Sequence, residues 1–370
     1  MLIKDGTYPG NGTSQTITCG FAPKVVIVKG DGVYQPVIKI DTMAATQSTV
    51  FNSATVYNTS QITAFTATGF TVAGGTVNTN LATYYWVALG ADEWNDLATF
   101  TYTGTGASNP ITGIGFKPDY VFTKGNCAQI ACNRYVTQAA TYSYVYTTTS
   151  AAITTGITSF DSDGFTVSTS LTVNESGSTY CGWAVKAGAR AVVVDTYTGT
   201  GSDNKDITLT SLLIPKLVLT QTSKDAEYPC GRFGSTGDES GQMWDLAWAA
   251  DRIQSMTLGY FQVGTYSSVN GAGYGTSYLA IGAPKQTPGT GLTTFISADV
   301  EVTGRARGFA APEAGLLSFL GGDGTYQGYS RPVTVKTPVA GVLHYFGGDV
   351  SAAEFDWSAI ADSVARYEIQ

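Results

Sequence analysis

The segment Gly20–Lys29, GFAPKVVIVK, returns 95 residues later as Gly115–Lys124, GFKPDYVFTK. A shorter third copy, IPKLVL, lies at Ile214–Leu219. Self-similarity at a fixed period is the sequence signature of a repeat architecture. The chain is therefore expected to consist largely of one module used three times.

Other landmarks keep the same period and the same order. Each repeat has a Tyr-led turn sequence before the segment quoted above, and a hairpin sequence and an aromatic-led apolar segment after it. The turn sequences are Tyr8–Gly12, Tyr102–Gly106 and Tyr197–Gly201, the hairpin sequences are Phe65–Val72, Phe160–Val167 and Gly259–Val263, and the apolar segments are Tyr85–Ala88, Tyr180–Val185 and Tyr278–Ile281. These landmarks place the repeats at residues 1–94, 95–189 and 190–285, with a remainder at 286–370.

The composition indicates the fold class. Only 13% of the 370 residues are charged, against roughly 25% in average domains. Thr, Val and Tyr favour strands because branched and aromatic side chains suit a pleated, half-buried surface, and the 44 glycines supply positive-φ turns. We expect an all-β protein of three tandem antiparallel β-sandwich repeats, followed by a small C-terminal β module that ends in one helix.

Within a repeat, Val25–Val28 is apolar at every position. This pattern predicts a central strand that is covered on both faces. Pro23 and Pro118 fix φ just before the two matching segments and should prevent the strand from starting earlier. The joints between repeats, near residues 94–96 and 186–190, are short, so neighbouring repeats should touch.

The third repeat is expected to carry a glycine-rich loop insertion at 230–251. Trp244 and Trp248 are four residues apart, which suits a short helical turn that buries both indoles in the core. The alternative is a surface-recognition loop in which the two rings stack on a sugar beside Asp238 and Glu239.

The last residues contain the one segment with a strong helical pattern. Ser351 and Glu354 form a capping box, and Trp357, Ile360 and Val364 then lie on one apolar stripe. This helix needs a surface to bury against, which is either the preceding β module or a copy from another subunit. We therefore expect it to act in docking or oligomerisation.

Catalytic motifs are not found in the sequence. The single histidine, His344, lies in a strand-like segment, so neither a Ser-His-Asp triad nor a His-ligated zinc site is predicted. Asp245, with Asp238 and Glu239, comes nearest to a carboxylate pair for glycoside hydrolysis, but no local motif selects these residues. We expect no catalytic residue and no cofactor.

Metal and disulfide sites are also not predicted. Asp161–Gly164 resembles the start of a calcium loop, but Thr172 stands where an EF-hand requires glutamate, so a hairpin turn is expected instead. The five cysteines are too few and too scattered for a disulfide framework. Free thiols are expected, with a bridge between Cys127 and Cys132 as the alternative.

Charge and hydropathy narrow the partners and the location. The net charge of −8 argues against nucleic acid, which requires a Lys/Arg surface. Met1–Gly6 runs into the first repeat without the pattern of a secretory signal, and no segment approaches the ~20 apolar residues of a membrane helix. We expect synthesis in a cytoplasm, no membrane insertion, and any extracellular role to come from release by lysis or from assembly into a particle.

Three segments of the second repeat carry a resemblance to a known family, and they are Gly115–Lys124, Ser159–Val167 and Tyr180–Gly188. Together they are similar to a repeat of structural proteins of tailed bacteriophages, with the pattern Gly-Phe-x-Pro-Asp-x-Val, Phe-x-x-x-Gly-Phe and Tyr-x-Ala-Trp-x-Trp-Lys-Ala-Gly. The first repeat departs from it at Lys24, which replaces the Asp, the third repeat lacks the Gly-Phe, and nothing after Lys285 takes part.

The resemblance implies a virion component similar in role to tail-fibre or other appendage proteins. Such proteins are not known as enzymes, so no catalytic residue carries over. The leading hypothesis is a non-enzymatic virion protein, a stiff rod or lobed body that works with other virion proteins, forms a homo-oligomer, preferably a trimer, and contacts a host glycan or surface protein. The alternatives are a capsid decoration or head-fibre protein, and a particle-associated glycan-cleaving enzyme.

Overall fold

The computed structural model describes residues 1–284 except 92–94, 140, 148–151, 189–190, 225–226, 238–239 and 244–246, and also describes three strands within 293–346. The chain divides into two compact units, residues 1–285 and 286–370. The first unit holds the three repeats.

Each repeat contributes eight described strands. The first repeat has β1 Leu2–Pro9, β2 Gln15–Thr18, β3 Val25–Gly30, β4 Val37–Ile40, β5 Thr49–Val50, β6 Ile62–Thr66, β7 Gly69–Val72 and β8 Thr83–Gly90. The second has β9 Leu97–Thr103, β10 Asn109–Thr112, β11 Tyr120–Gly125, β12 Cys132–Tyr135, β13 Tyr144–Val145, β14 Ile157–Asp161, β15 Gly164–Val167 and β16 Thr179–Val185. The third has β17 Val192–Thr198, β18 Lys205–Thr208, β19 Leu213–Thr222, β20 Cys230–Phe233, β21 Gly241–Gln242, β22 Ile253–Thr257, β23 Tyr260–Val263 and β24 Gly275–Pro284.

The sheet order is the same in all three repeats. A five-stranded antiparallel sheet, β1-β8-β3-β4-β5 in the first repeat, accompanies a three-stranded antiparallel sheet, β2-β7-β6. The second and third repeats give β9-β16-β11-β12-β13 with β10-β15-β14, and β17-β24-β19-β20-β21 with β18-β23-β22. The predicted all-β fold of three sandwiches is confirmed, and the shortened third copy has the topology of the other two.

Among the described residues of the first unit, helical structure is limited to single turns between strands. A 3-10 turn at Gly75–Val77 and four-residue helices at Leu171–Asn174 (α1) and Ser267–Asn270 (α2) occupy the same place, before the last strand of each repeat. A further 3-10 turn, Gly234–Thr236, follows β20.

The central strand β3 shows why the five-stranded sheets are so apolar. Successive side chains of a strand point to opposite faces. Val26 and Val28 pack into the core of their own sandwich, whereas Val25 and Ile27 pack into a second core that all three repeats share. All four side chains are fully buried, so the predicted strand covered on two faces is confirmed.

Because the three repeats share a core, they are not independent domains arranged in a row. The shared core contains buried side chains from every repeat, for example Ile27, Phe122 and Leu219, which lie at matching positions of β3, β11 and β19. Each repeat also keeps a separate core between its own two sheets. The three sandwiches are thus lobes around a common centre and are not stacked end to end as a rod.

The predicted strand starts and hairpin turns agree with the structure. β3 and β11 begin two residues after Pro23 and Pro118, while Pro215 lies inside β19 beside a register shift. Asp161 ends β14 and Gly164 begins β15, so Asp161–Gly164 forms the expected hairpin turn.

The expected insertion at 230–251 is wrong. Cys230–Phe233 is strand β20, the counterpart of β4 and β12, and Gly241–Gln242 is β21, the counterpart of β5 and β13. The distance from the start of β20 to the start of β22 is two residues shorter than the matching distance in the first and second repeats. The glycines and tryptophans changed the appearance of the segment but added no length.

A buried asparagine closes the same loop in each repeat. In the second repeat, Nδ2 of Asn174 donates to the carbonyl oxygens of Ala107 and Ser168, and Oδ1 accepts from the backbone N–H of Thr105 at 2.7 Å. The asparagines with these contacts in the three repeats are Asn78, Asn174 and Asn270.

The Tyr-led turn sequence of each repeat contacts the loop that the buried asparagine closes, and these contacts explain why the sequence recurs. The hydroxyl of Tyr102 donates to the carbonyl of Val173 at 2.7 Å, and Tyr8 and Tyr197 make the same bond in their repeats. A Cβ on Gly104 would lie 2.2 Å from the carbonyl oxygen of Glu175. The tyrosine and the glycine are therefore both required by the close approach of turn and loop.

The second unit contains three described strands, Thr293–Ile296 (β25), Leu317–Leu320 (β26) and Leu343–Phe346 (β27). They form a parallel sheet in the order β25-β26-β27. His344 lies in β27, as the sequence predicted. The predicted helix stripe of Trp357, Ile360 and Val364 lies outside the described residues.

Substituting Asn174 with alanine should lower the free energy of unfolding by about 2–4 kcal/mol, because two carbonyls and one N–H lose their partner in a half-buried loop. Urea unfolding of the full chain measures this change. Asn80→Ala, at an exposed position of the same loop in the first repeat, should change the unfolding free energy little. Equal losses in the two variants would contradict the structural role of the buried asparagine.

Candidate functional site

The three sandwiches touch in a closed cycle. Between the first and second, the ring of Phe51 lies 5.0 Å from the rings of both Phe122 and Tyr146, and the carbonyl of Phe51 accepts from the N–H of Ala131 at 3.1 Å. The residue that follows β5 in the first sheet therefore packs against β11 and against residues that flank β12 and β13 in the second.

Residues that follow β12 and β20 contribute to the other two junctions. Between the second and third repeats, the hydroxyls of Thr137 and Ser277 are 2.9 Å apart. Between the third and first, Ser235 Oγ donates to the carbonyl of Gly6 at 3.1 Å, and Lys216 Nζ lies 3.1 Å from Asp5 Oδ1. Contacts of this head-to-tail kind form a ring when the rotation closes, and here one chain closes it.

A buried lysine lies at the first of these junctions. Lys124, at the end of β11, is fully buried, and its Nζ donates to the carbonyls of Thr55, Gly125 and Cys127 at 2.8, 2.6 and 3.2 Å. Nζ also lies 5.8 Å from the centre of the Tyr57 ring, which belongs to the first repeat. Burial lowers the pKa of Lys124 to about 8.

The same pairing of a buried lysine with an aromatic ring occurs at the junction between the third and first repeats. Lys29, which holds the matching position at the end of β3, is fully buried, and its Nζ donates to the carbonyl of Tyr34 at 3.0 Å. Nζ lies 5.3 Å from the centre of the Trp248 ring of the third repeat. A cation over an aromatic ring, joined to backbone carbonyls, therefore links two of the three pairs of sandwiches.

The junction between the second and third repeats lacks both partners. The strand register places Gln221 where the others have lysine: Lys29 pairs with Tyr85, Lys124 with Cys181 and Gln221 with Ser277. Isolated β-bridges show which residue of the second repeat matches Tyr57 and Trp248. In each repeat a buried serine forms such a bridge, with Asn58, Ile153 and Ala249 as the partners. The residues just before these partners are Tyr57, Ala152 and Trp248, so alanine holds the place of the aromatic ring in the second repeat.

A groove of about 440 Å³ lies where the ring is missing. Both repeats contribute to its wall, and the described lining residues include no charged side chain. The lining residues that bear on its chemistry are Thr137, Gln138, Tyr142, Ala152, Gln221 and Ser277. Sequence analysis did not find this site, because its signal is a difference between repeats at two positions that are far apart in the chain.

Trp248 does not lie where a recognition surface requires it. Its side chain is only 7% exposed, and its ring packs against those of Phe233 and Tyr85 at 5.5 and 5.7 Å. Ala247 and Trp248 are not helical. Burial of Trp248 agrees with the core interpretation, whereas the predicted helical turn and sugar-stacking platform also involve Trp244 and the residues next to it, which lie outside the described residues.

The other residues of the predicted recognition loop, Trp244, Asp238, Glu239 and the nearby Asp245, lie outside the described residues. All five cysteines are free and buried, so the alternative bridge between Cys127 and Cys132 is not formed. Burial raises the pKa of Cys132 to about 12 and that of Cys230 to about 11, which leaves these thiols protonated and unreactive at neutral pH.

The described residues contain no group of three or more His, Cys, Asp or Glu side chains that could hold a metal ion. No helix in them has the length and apolar character needed to cross a membrane.

The buried lysines predict how stability changes with pH. Lys39 and Lys124 have pKa values near 8 in the folded chain, below the ordinary 10.5, chiefly because burial disfavours their charged forms. Between these pH values the unfolded chain binds protons that the folded chain has lost, so the free energy of unfolding should rise with pH, by up to about 1.4 kcal/mol per pH unit for each lysine. Urea unfolding from about pH 7 to about pH 10 measures the rise.

Lys124→Met should reduce this rise, whereas Lys117→Met, at an exposed position, should leave it unchanged. The range stops near pH 10 because burial raises the pKa of Tyr120 and Tyr135, and tyrosine ionisation in the unfolded chain then lowers stability. The same slope in all three proteins would show that Lys124 is not the titrating group.

Residues 92–211 are similar to a domain of unknown function (DUF7483). The matched segment covers the described strands of the second repeat, β9 to β16, and extends through β17 and β18. No curated protein matches the chain.

Proposed function

We propose that this chain is a non-enzymatic structural protein of a tailed-bacteriophage particle, acting as a tail-fibre or other appendage component that contacts the host surface. The observation that carries the proposal is the closed ring of three sandwiches around one shared core. Rings of this kind place equivalent loops around a rigid centre, which suits a scaffold that presents contact surfaces.

The composition and packing support a scaffold role. Both faces of the central strands β3 and β11 are buried at every residue. Because such sheets are packed on both faces, they require apolar and Thr side chains, which accounts for the low fraction of charged residues. Residues that recur with the period, such as Asn174 and Tyr102, hold loops in place.

The link to a phage particle comes from the sequence resemblance. The three segments that carry it, within residues 115–188, lie inside the matched segment 92–211. In the structure they form β11, the hairpin of β14 and β15, and the strand β16. They are thus the packing elements of one sandwich, which agrees with a role as a structural module.

Mass spectrometry of purified particles tests the location. We expect peptides from all three repeats among the virion proteins of the phage that encodes the chain. Electron microscopy with a label on Gln370 then distinguishes a tail position from a capsid decoration or head fibre. Particles that lack these peptides would refute the virion role.

Self-association tests the role of the C-terminal unit. The ring of sandwiches is complete within one chain, so we propose that residues 286–370 supply the homo-oligomer, with a trimer expected, through Trp357, Ile360 and Val364. Replacing these three residues with glutamate should reduce the mass measured by light scattering to that of one chain. Val33→Glu, at a position 72% exposed in the first unit, is the matched control and should not change the mass; a monomeric wild-type chain would refute the proposal.

A further inference from the structure

The groove between the second and third sandwiches is a specialised position in a repeated design. At the two equivalent junctions, Tyr57 and Trp248 fill the space beside Lys124 and Lys29. Ala152 has no side chain that could do so. The space is therefore open at one junction of three, because the residues differ there and not because the backbone does.

Two buried polar atoms at this groove have no hydrogen-bond partner among the described residues. Gln221 is 1% exposed and lines the groove; its Nε2 donates to the carbonyl of Thr222 at 3.2 Å, but its Oε1 has no hydrogen-bond partner among the described residues. Nε2 of Gln138, also in the lining, is buried and has no partner among them either. Buried polar groups of native proteins are nearly always paired, and leaving one unpaired costs about 1–3 kcal/mol.

The two unpaired atoms define the chemistry of a ligand. Oε1 of Gln221 accepts a hydrogen bond and Nε2 of Gln138 donates one. A hydroxyl group can do both, because it carries one donor and two acceptor positions. Thr137 and Ser277 add hydroxyls to the wall, so the groove offers donors and acceptors to a ligand that has several hydroxyl groups.

The other described lining residues carry no charge and add apolar surface to the groove. With no charged side chain in the described lining, an anionic or cationic ligand would lose its hydration without gaining an ion pair. Tyr142 lines the groove and is 41% exposed, so ring surface is accessible there. The volume of about 440 Å³ falls within the range of small-molecule sites, about 300–1,000 Å³.

We propose that this groove binds a neutral sugar unit of a glycan. Gln221 and Gln138 bond its hydroxyls, Tyr142 contacts the apolar face of its ring, and the absence of a large side chain at Ala152 provides the space. The inference rests on the proposed function only in taking this face as a recognition surface; binding itself can be measured on the isolated chain.

The test uses the full-length chain and a fixed set of probes: glucose, galactose, mannose, N-acetylglucosamine, lactose and maltose, with glucuronate as the charged comparison. Saturation-transfer NMR and calorimetry should show saturable binding of at least one neutral sugar with millimolar affinity, and weaker binding of glucuronate. Ala152→Tyr restores the ring found at the other junctions, and it should lower the affinity at least about tenfold. Gln221→Met keeps the size of the side chain but removes the acceptor, and it should lower the affinity about fivefold.

Ala67→Tyr is the matched control, because it adds the same ring at an exposed turn between β6 and β7, and it should bind as the wild type does. Gln221→Met decides the question if Ala152→Tyr fails to fold. The proposal is overturned if no neutral sugar binds, if glucuronate binds best, or if neither groove variant weakens binding. A tripeptide Gly-Trp-Gly that binds when no sugar does would assign the groove to an aromatic side chain of a protein partner instead.

The outcome is independent of the location test. Sugar binding by a chain that is absent from particles would refute the virion role alone. Failure to bind, with the chain present in particles, would refute the sugar site alone.

Discussion

Burial of both faces of each five-stranded sheet is the constraint on which the rest of the structure depends. One face closes a sandwich with a three-stranded sheet, and the other faces the core that all three repeats share. A sheet in this position can carry a polar group only if the group finds partners inside the protein. Lys124 does so through three backbone carbonyls, one of which belongs to the neighbouring repeat, so the polar contacts of the core also connect the sandwiches.

Two classes of residue result from this arrangement. Asn174, Tyr102 and Gly104 close a loop against its own turn, and the same backbone geometry in every repeat calls for the same residue types. Residues at the junctions face a different neighbouring repeat in each case. The two side chains that meet across a junction therefore have to fit each other, but they need not match those of the other junctions. Lysine with an aromatic ring satisfies two junctions, while Gln221 with Ala152 leaves the third open.

The sequence was sufficient for the period, the strands, the hairpin at Asp161–Gly164 and the two-sided burial of β3, because each depends on residues that are near one another in the chain. It was misleading at 230–251, where glycines suggested an inserted loop although the backbone keeps the strands of the other repeats. Backbone pairing outweighs local composition there, since β20 pairs with β19 on one side and with β21 on the other. Trp248 was placed in the core correctly, but its neighbours Tyr85 and Lys29 come from the first repeat and have no signal in the local sequence.

By itself the sequence determined a chain of three β-sandwich repeats with little charge. Alternation, turn residues and the repeat period can all be recognised along the chain, without knowing which distant residues are in contact. Only the tertiary structure decided that the sandwiches close into a ring, that the cations of the sheets lie over rings from the next repeat, and that Ala152 and Gln221 leave a groove. These features depend on contacts between residues about seventy or more positions apart. Which of them form depends on how the packed sheets meet, and a pattern along the chain does not contain that information.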